Sequence, residues 1–336
     1  MARLTFHLVP ATTWASRAPD APYHAASLAE EGFAHCTDGD SAMLATANRH
    51  YRSDTRTFLL LTLDLDRVGS PWRFDDPGRI YPHIYGPIDP ASVERVTRPV
   101  RLPDGSFVAL DTPAAAPVCD ALVRRASPVR HAPLGVRRLA SGEPLGGPAL
   151  PAAHAGSVDV FLEAIDAAPR TGGILVIDDE GRTDEACIGD LVVGEAMTAG
   201  LAGIVVWGAH RDAAELARIG LPVWSLGAVP AGPRVAREAS ADRLRRARLG
   251  EFIVTDEDIV IADDDGVVVV AAAEAEAVLA EALAIQRTER RQADALGEGR
   301  SLRDQLRFTD YLERRAADPT LDFRKFLSEV GGAIET

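Results

Sequence analysis

Cysteine is scarce: the 336 residues carry three, Cys36, Cys119 and Cys187. An odd number, widely spaced, argues against a disulfide framework and against a structural zinc cluster, whose ligands group at short spacing. No stretch approaches the roughly 18 uncharged apolar residues that a membrane span requires, so no membrane association is expected. The start, MARLTFHLVP, has no long apolar run behind a charged segment and does not read as a secretory signal. Positive charge is in deficit, with 36 Lys and Arg against 50 Asp and Glu and a formal net charge of -14. An acidic surface repels phosphate backbones, so general nucleic-acid binding is not expected. These absences describe a soluble, reduced, cytoplasmic protein. What is present is a hydrophobic share of 46%, enough to bury a core. The length, at roughly 100–200 residues per domain, suggests two domains.

Residues 1–110 form one block. FHLV, TFLLLTLDL and VERVTRPVRL read as strands, short and rich in apolar and β-branched residues. SLAEEGFAH and SAMLATANRHY carry helical spacing, and the Pro- and Gly-bearing SPWRFDDPGRIYPHIYGPIDP reads as a surface loop. The small, Pro-rich residues 111–118 suit a linker. From 119 to 275 buried strands alternate with short helices, the pattern of an α/β domain. GGILVIDD, LAGIVVWGAH and LPVWSLG are expected as strands; CDALVRRA, VDVFLEAIDAA and RDAAELARIG as helices, the last ending at Gly220. FIVTDEDIVIADDDGVVVVA is expected to form two strands joined by the turn ADDDG. Residues 276–336 read as a helical tail, opened by an apolar face at Val278, Leu279, Ala282, Leu283 and Ile285.

The chemistry concentrates in GDLVVGEAMTAGLAGIVVWGAHRDAAE, residues 189–215. Two strand-to-helix junctions fall here, and in an open α/β sheet ligands gather at such junctions. At the first, Gly189 and Asp190 precede a helix whose free N–H groups suit a carboxylate. At the second, Arg211 offers a bidentate fork for a carboxylate, and Asp212 offers hard oxygens to a divalent cation such as Mg²⁺ or Mn²⁺. A cation beside a carboxylate-binding Arg suits a small 2-oxo acid, because it polarises the keto oxygen and stabilises an enolate. The plain alternative is structural: Asp190 as an N-cap, and Arg211–Asp212 as a surface pair in a first helical turn. Cys119 has no His placed beside it by the sequence and reads as a small helix residue.

Residues 114–275 resemble the RraA-like family, which includes 4-hydroxy-4-methyl-2-oxoglutarate aldolases and a regulator of ribonuclease E. The family pattern is Gly–Asp/Glu and, twenty residues on, Arg–Asp with an acid shortly after. Here twenty residues separate Asp190 from Arg211–Asp212, and Glu215 follows. VCDAL, GVRRLASGEPLGGPA, GGILVIDDEG, LPVWSLG and IVIADDDGVVVV match in order. The departures are Thr255–Asp258 for the usual Pro-Gly-Asp, Cys119 for Ser and Gly173 for Asp. The resemblance implies a ββα swivelling sandwich, assembled as a homotrimer or hexamer with its site between subunits. It implies that Arg211 holds the substrate carboxylate, that Asp212 holds the metal, and that Asp190 orients a proton-relaying water. Gly189, Asp190, Leu191 and Val192 would give backbone contacts to the substrate, and a neighbouring chain would supply a second acid. The implied activity is a metal-dependent class II aldolase with an oxaloacetate decarboxylase side reaction. The alternative is a non-catalytic regulator that binds a ribonuclease or another protein.

In the amino-terminal block His7, His35 and His83 sit in FHLVP, EGFAHCT and YPHIYGP. Neutral imidazoles bind metals or relay protons, and they are also common structural residues. These segments resemble a small bacterial family of unknown function, with the signature GFIHC…PHIYGP, grouped distantly with the ADP-ribosyltransferase fold. The resemblance, over about residues 4–101, implies a small α+β domain and a pocket at His7, His35 and His83 with Asn48, Arg49 and Tyr85. It implies no activity.

Overall fold

The computed structural model describes residues 2–167, 172–234, 236, 238 and 240–330. The end of the expected tail, 331–336, and Ala168 at the end of VDVFLEAIDAA lie outside them.

Among the described residues the amino-terminal block holds two three-stranded antiparallel sheets and a two-stranded one, Val100–Arg101 with Phe107–Ala109. Of the three-stranded sheets, the first orders Leu4–Pro10, Phe58–Asp64 and Val93–Thr97; the other orders Ala34–His35, Pro82–Ile84 and Trp72–Phe74. The apolar run FLLLTLD forms the central strand of the first sheet, and Leu61 and Leu63 are fully buried. VERVTRPVRL is not one strand. It breaks after Thr97 and resumes at Val100, because Pro99 has no N–H to give a ladder. The presumed surface loop after Ser70 contains a hairpin, Trp72–Phe74 against Pro82–Ile84. SLAEEGFAH divides into a short helix, Ala26–Glu30, and the strand Ala34–His35.

The second domain is an eight-stranded mixed sheet. Its parallel centre runs Leu145–Ala153, Ile174–Ile188, Gly203–His210 and Val223–Ser225, with antiparallel strands outside. Ile204, Val205 and Val206 are all fully buried, as expected of a parallel strand covered on both faces, where apolar residues run on rather than alternate. Each such side chain contributes roughly 1.5–3 kcal/mol. Gly220 ends the helix Ala213–Ile219 with φ 81°. FIVTDEDIVIADDDGVVVVA holds three strands rather than two, since Phe252–Thr255 pairs with Arg246–Leu249 ahead of the hairpin Asp258–Ala262/Val267–Ala271.

The expected linker is packed. A helix starts at Ala115, whose N–H donates to Asp263 at 2.7 Å. Val100 and Val108 of the first domain share one apolar cluster with Ala115, Leu122, Leu279 and Ile285 of the second. The expected tail also begins inside the core. The helix Ala272–Gly297 buries Ala275, Val278, Leu279, Ala282 and Ile285 on one face, and only the later helices form a separate cluster around Tyr311 and Phe326.

Candidate functional site

Two parallel strand ends carry the residues singled out. Ile174–Ile188 and Gly203–His210 are neighbours, and their last pair in register is Ile188 with His210. Gly189 and Arg211, one residue further along each, therefore leave the sheet side by side. The Arg211 N–H donates to the Ile188 carbonyl at 3.0 Å. Each strand then enters a helix, Asp190–Thr198 and Ala213–Ile219.

Asp212 is left-handed, with φ 59° and ψ 35°. Such a backbone costs a non-glycine residue roughly 1–3 kcal/mol and collects at functional positions. It brings the Asp212 carboxylate against Gly189: a Cβ on Gly189 would lie 2.4 Å from Asp212 Oδ2 and 3.1 Å from Arg211 Nε. Arg211 Nε is 3.4 Å from Asp212 Oδ2, and the two side chains are 48% and 36% exposed. Across the guanidinium, a Cβ on Gly232 would lie 2.8 Å from Arg211 Nη1. Two glycines thus leave the room in which the guanidinium sits.

The expected Gly189–Val192 loop is instead the first turn of a helix, with Gly189 rather than Asp190 at the N-cap. The Asp190 N–H faces Asp212 Oδ2 at 3.4 Å, and the Leu191 N–H donates to Asp190 Oδ1 at 2.8 Å. The Val192 side chain is buried, while Leu191 is 84% exposed. The Glu215 side chain pairs with Arg218, and its contact with Asp212 is through the backbone, the Glu215 N–H donating to the Asp212 carbonyl at 2.8 Å. The one oxygen donor against Gly189 is the Asp212 carboxylate, a hard ligand of the kind that Mg²⁺ and Mn²⁺ prefer, and the other neighbour there is the Arg211 side chain.

A second cluster lies within the core. His154, Asp179 and Cys187 are buried with ligand atoms within 4.8 Å of one another. His154 Nδ1 is 2.8 Å from Asp179 Oδ1, and the imidazole stacks on Phe161 at 5.2 Å. Burial pushes the Cys187 thiol well above its ordinary pKa. Both the His154 and Asp179 side chains have no exposure, so the cluster is sealed from solvent, whereas a catalytic metal keeps a position open to water or substrate. Sequence reasoning did not find it, nor Gly232: their contacts join residues far apart in the chain.

The three amino-terminal histidines meet at one cavity of about 760 Å³. His35 and His83 are opposite each other in register, with rings 5.3 Å apart, edge to face. His7 Nδ1 lies 2.7 Å from the His35 carbonyl, and burial lowers the His7 pKa. Arg49 also lines the cavity. Asn48 is used elsewhere: its amide exchanges hydrogen bonds of 2.9 and 2.7 Å with the Phe107 backbone. Tyr85 donates its hydroxyl to Asp75, a residue the sequence reading passed over as loop.

Residues 115–269 match the family model described as Aldolase/RraA (RraA-like), and residues 8–96 match the model described as Protein of unknown function (DUF952). Among solved structures, an uncharacterized protein from Pseudomonas syringae pv. tomato str. DC3000 is 25% identical; the match covers 56% of this chain and 90% of that one, with a TM-score of 0.50. RraAS2 of Streptomyces coelicolor, described as an unusual member of the RNase ES inhibitor RraA protein family, is 28% identical over 53% of this chain and 90% of its own, with a TM-score of 0.45. Over the amino-terminal block, CC0527 from Caulobacter crescentus is 24% identical, covering 31% of this chain and 93% of that one, with a TM-score of 0.27. The expected fold class, an α/β RraA-like domain preceded by a small α+β domain and followed by helices, is the one found. Among the described residues no helix is long and apolar enough to cross a membrane.

Proposed function

We propose that this chain, whose residues 115–269 form an RraA-like domain and whose residues 8–96 form a DUF952 domain, is a divalent-metal-dependent lyase. It cleaves a small 4-hydroxy-2-oxo acid, such as 4-hydroxy-4-methyl-2-oxoglutarate, to pyruvate, with oxaloacetate decarboxylation as a side reaction. One observation carries this reading: the Arg211 guanidinium and the Asp212 carboxylate stand together over Gly189 at two adjacent parallel strand ends.

Arg211 grips the substrate carboxylate through its planar fork. Asp212 is the ligand that would hold Mg²⁺ or Mn²⁺, the remaining positions being filled by water and substrate. When bound, that cation supplies positive charge beside the keto oxygen, where negative charge builds as the carbon–carbon bond breaks. Asp190 orients the water that moves the proton. Gly189 keeps the substrate's approach open, since any side chain there would meet both Arg211 and Asp212. Leu191 and Met197 are exposed apolar residues on the helix Asp190–Thr198 that opens at the site, and Leu162 is exposed on the helix Asp159–Ala167. Their covering by a second copy fits a homotrimer or hexamer, with an acid contributed across the interface.

The test is pyruvate release from oxaloacetate and from 4-hydroxy-4-methyl-2-oxoglutarate, with Mg²⁺ and with EDTA. Metal-dependent release supports the lyase. A folded, metal-supplied protein that releases pyruvate from neither would instead support a protein-binding regulator.

A further inference from the structure

Around the amino-terminal cavity the acids are matched within the protein. Glu31 lies 3.1 Å from His35 Nε2. Asp75 accepts from His83 Nδ1 at 2.9 Å, from Arg73 Nε at 2.7 Å and from the Tyr85 hydroxyl. Asp76 accepts the N–H groups of Ile80 and Tyr81 at 3.1 and 3.0 Å. Of the two lining arginines, Arg56 is forked onto the two oxygens of Asp54 at 2.6 and 3.0 Å. Arg49, in the last turn of the helix Asp40–His50, makes no ion pair or side-chain hydrogen bond among the described residues. The cavity keeps one uncommitted guanidinium, and a guanidinium binds anions.

The imidazoles are set by the same partners. A carboxylate only accepts, so the ring nitrogen facing it carries the proton of a neutral imidazole. That nitrogen is Nδ1 in His83 and Nε2 in His35, which leaves His83 Nε2 and His35 Nδ1 as acceptors. Hydrogen bonds from Tyr85 and His83 hold the Asp75 carboxyl down at about 2, so it stays ionised and keeps His83 in that tautomer. Below them the His35 carbonyl fixes the proton on His7 Nδ1, turning Nε2 to the Tyr23 hydroxyl at 3.4 Å. Tyr51 and Phe58 add flat walls. The volume of 760 Å³ falls among small-molecule sites of roughly 300–1,000 Å³.

We infer that the amino-terminal domain is a second small-molecule site, independent of the strand-end site. It takes a planar organic anion, with the phosphate or carboxylate on Arg49 and with His83, aligned by Asp75, accepting a hydrogen bond from the ligand.

The probes are phenyl phosphate and benzoate, which share a planar anionic body and differ in the head group. They are titrated into the full chain labelled with ¹⁵N at histidine, with His35→Gln and His83→Gln used to assign the ring signals. At least one probe should shift the His35 and His83 ring nitrogens saturably, and the tighter of the two identifies the head group. Arg49→Ala should raise the dissociation constant by about 10-fold or more, the loss of about 1.4 kcal/mol of charge-assisted binding, and Arg211→Ala should leave it unchanged. No shift from either probe up to about 20 mM, a range that covers affinities of only a few kcal/mol, overturns the inference. So does an affinity unchanged in a folded Arg49→Ala variant, or one lost equally in Arg211→Ala.

Discussion

Replacing Gly189 by alanine tests the strand-end site with the smallest possible change. The Gly189 backbone, at φ -145° and ψ -166°, is open to any residue, so the substitution adds no backbone strain. What it adds is a methyl group 2.4 Å from Asp212 Oδ2. A carbon–oxygen contact needs roughly 3.3 Å, so the carboxylate must retreat by about 1 Å. Both acid and guanidinium are partly exposed, and so they can retreat without unpacking the core. A misplacement of about 1 Å costs on the order of 10²-fold in rate, or about 2.7 kcal/mol of barrier. Gly189→Ala should therefore lower kcat/KM for pyruvate release by about 100-fold while moving the melting temperature by no more than a few degrees. Steady-state pyruvate assays and a circular-dichroism melt on the same sample read both. Activity within about threefold of the parent, a change of less than 1 kcal/mol, would refute the reasoning. Equal loss of fold and activity would show that Gly189 is needed for packing and not for placing Asp212.

Arg211→Ala should raise KM by about 10- to 100-fold, since it removes charge-assisted hydrogen bonds of roughly 1.5–3 kcal/mol; Asp212→Ala should abolish the difference between Mg²⁺ and EDTA, and normal pyruvate release by both variants would sink the assignment. Burial lowers the pKa of both His7 and His210. The unfolded chain therefore takes up protons first, so stability is full above the ordinary value of about 6.5 and falls as pH drops below it. Urea midpoints at neutral and mildly acid pH should show the fall, and His7→Gln should make it shallower; a slope unchanged in that variant would count against the reading. Asn48→Ala should cost roughly 1–3 kcal/mol by orphaning the Phe107 backbone groups, while probe binding in the neighbouring cavity persists. A melt indistinguishable from the parent would show that those bonds are dispensable.

Much was legible where the physics is local. Fully covered parallel strands read as unbroken apolar runs, so LAGIVVWGAH and GGILVIDD are recognisable from the sequence alone. The helical spacing of Val278, Leu279, Ala282, Leu283 and Ile285 marks a helix with one apolar face, and of these Val278, Leu279, Ala282 and Ile285 are buried. Gly220 was readable as a helix end, since φ 81° suits a residue without Cβ. Arg211 and Asp212 could be placed at the end of a strand because strand and helix signals meet there.

Tertiary structure decided the rest. Residues 111–118 look like a linker in composition, yet the covering of Val100 and Val108 by a helix more than 160 residues away makes them part of a core. Whether Asp190 caps its helix, and whether Gly232 stands against Arg211, depends on how two strands and a loop align in register. In the same way no local pattern says that Asp75 orients His83, that Asn48 serves Phe107, or that His7, His35 and His83 share a cavity. Periodicity and turn chemistry are written along the chain, whereas a site joins side chains from separate segments. Only the pairing register and the packing of the finished fold bring those segments within reach of each other.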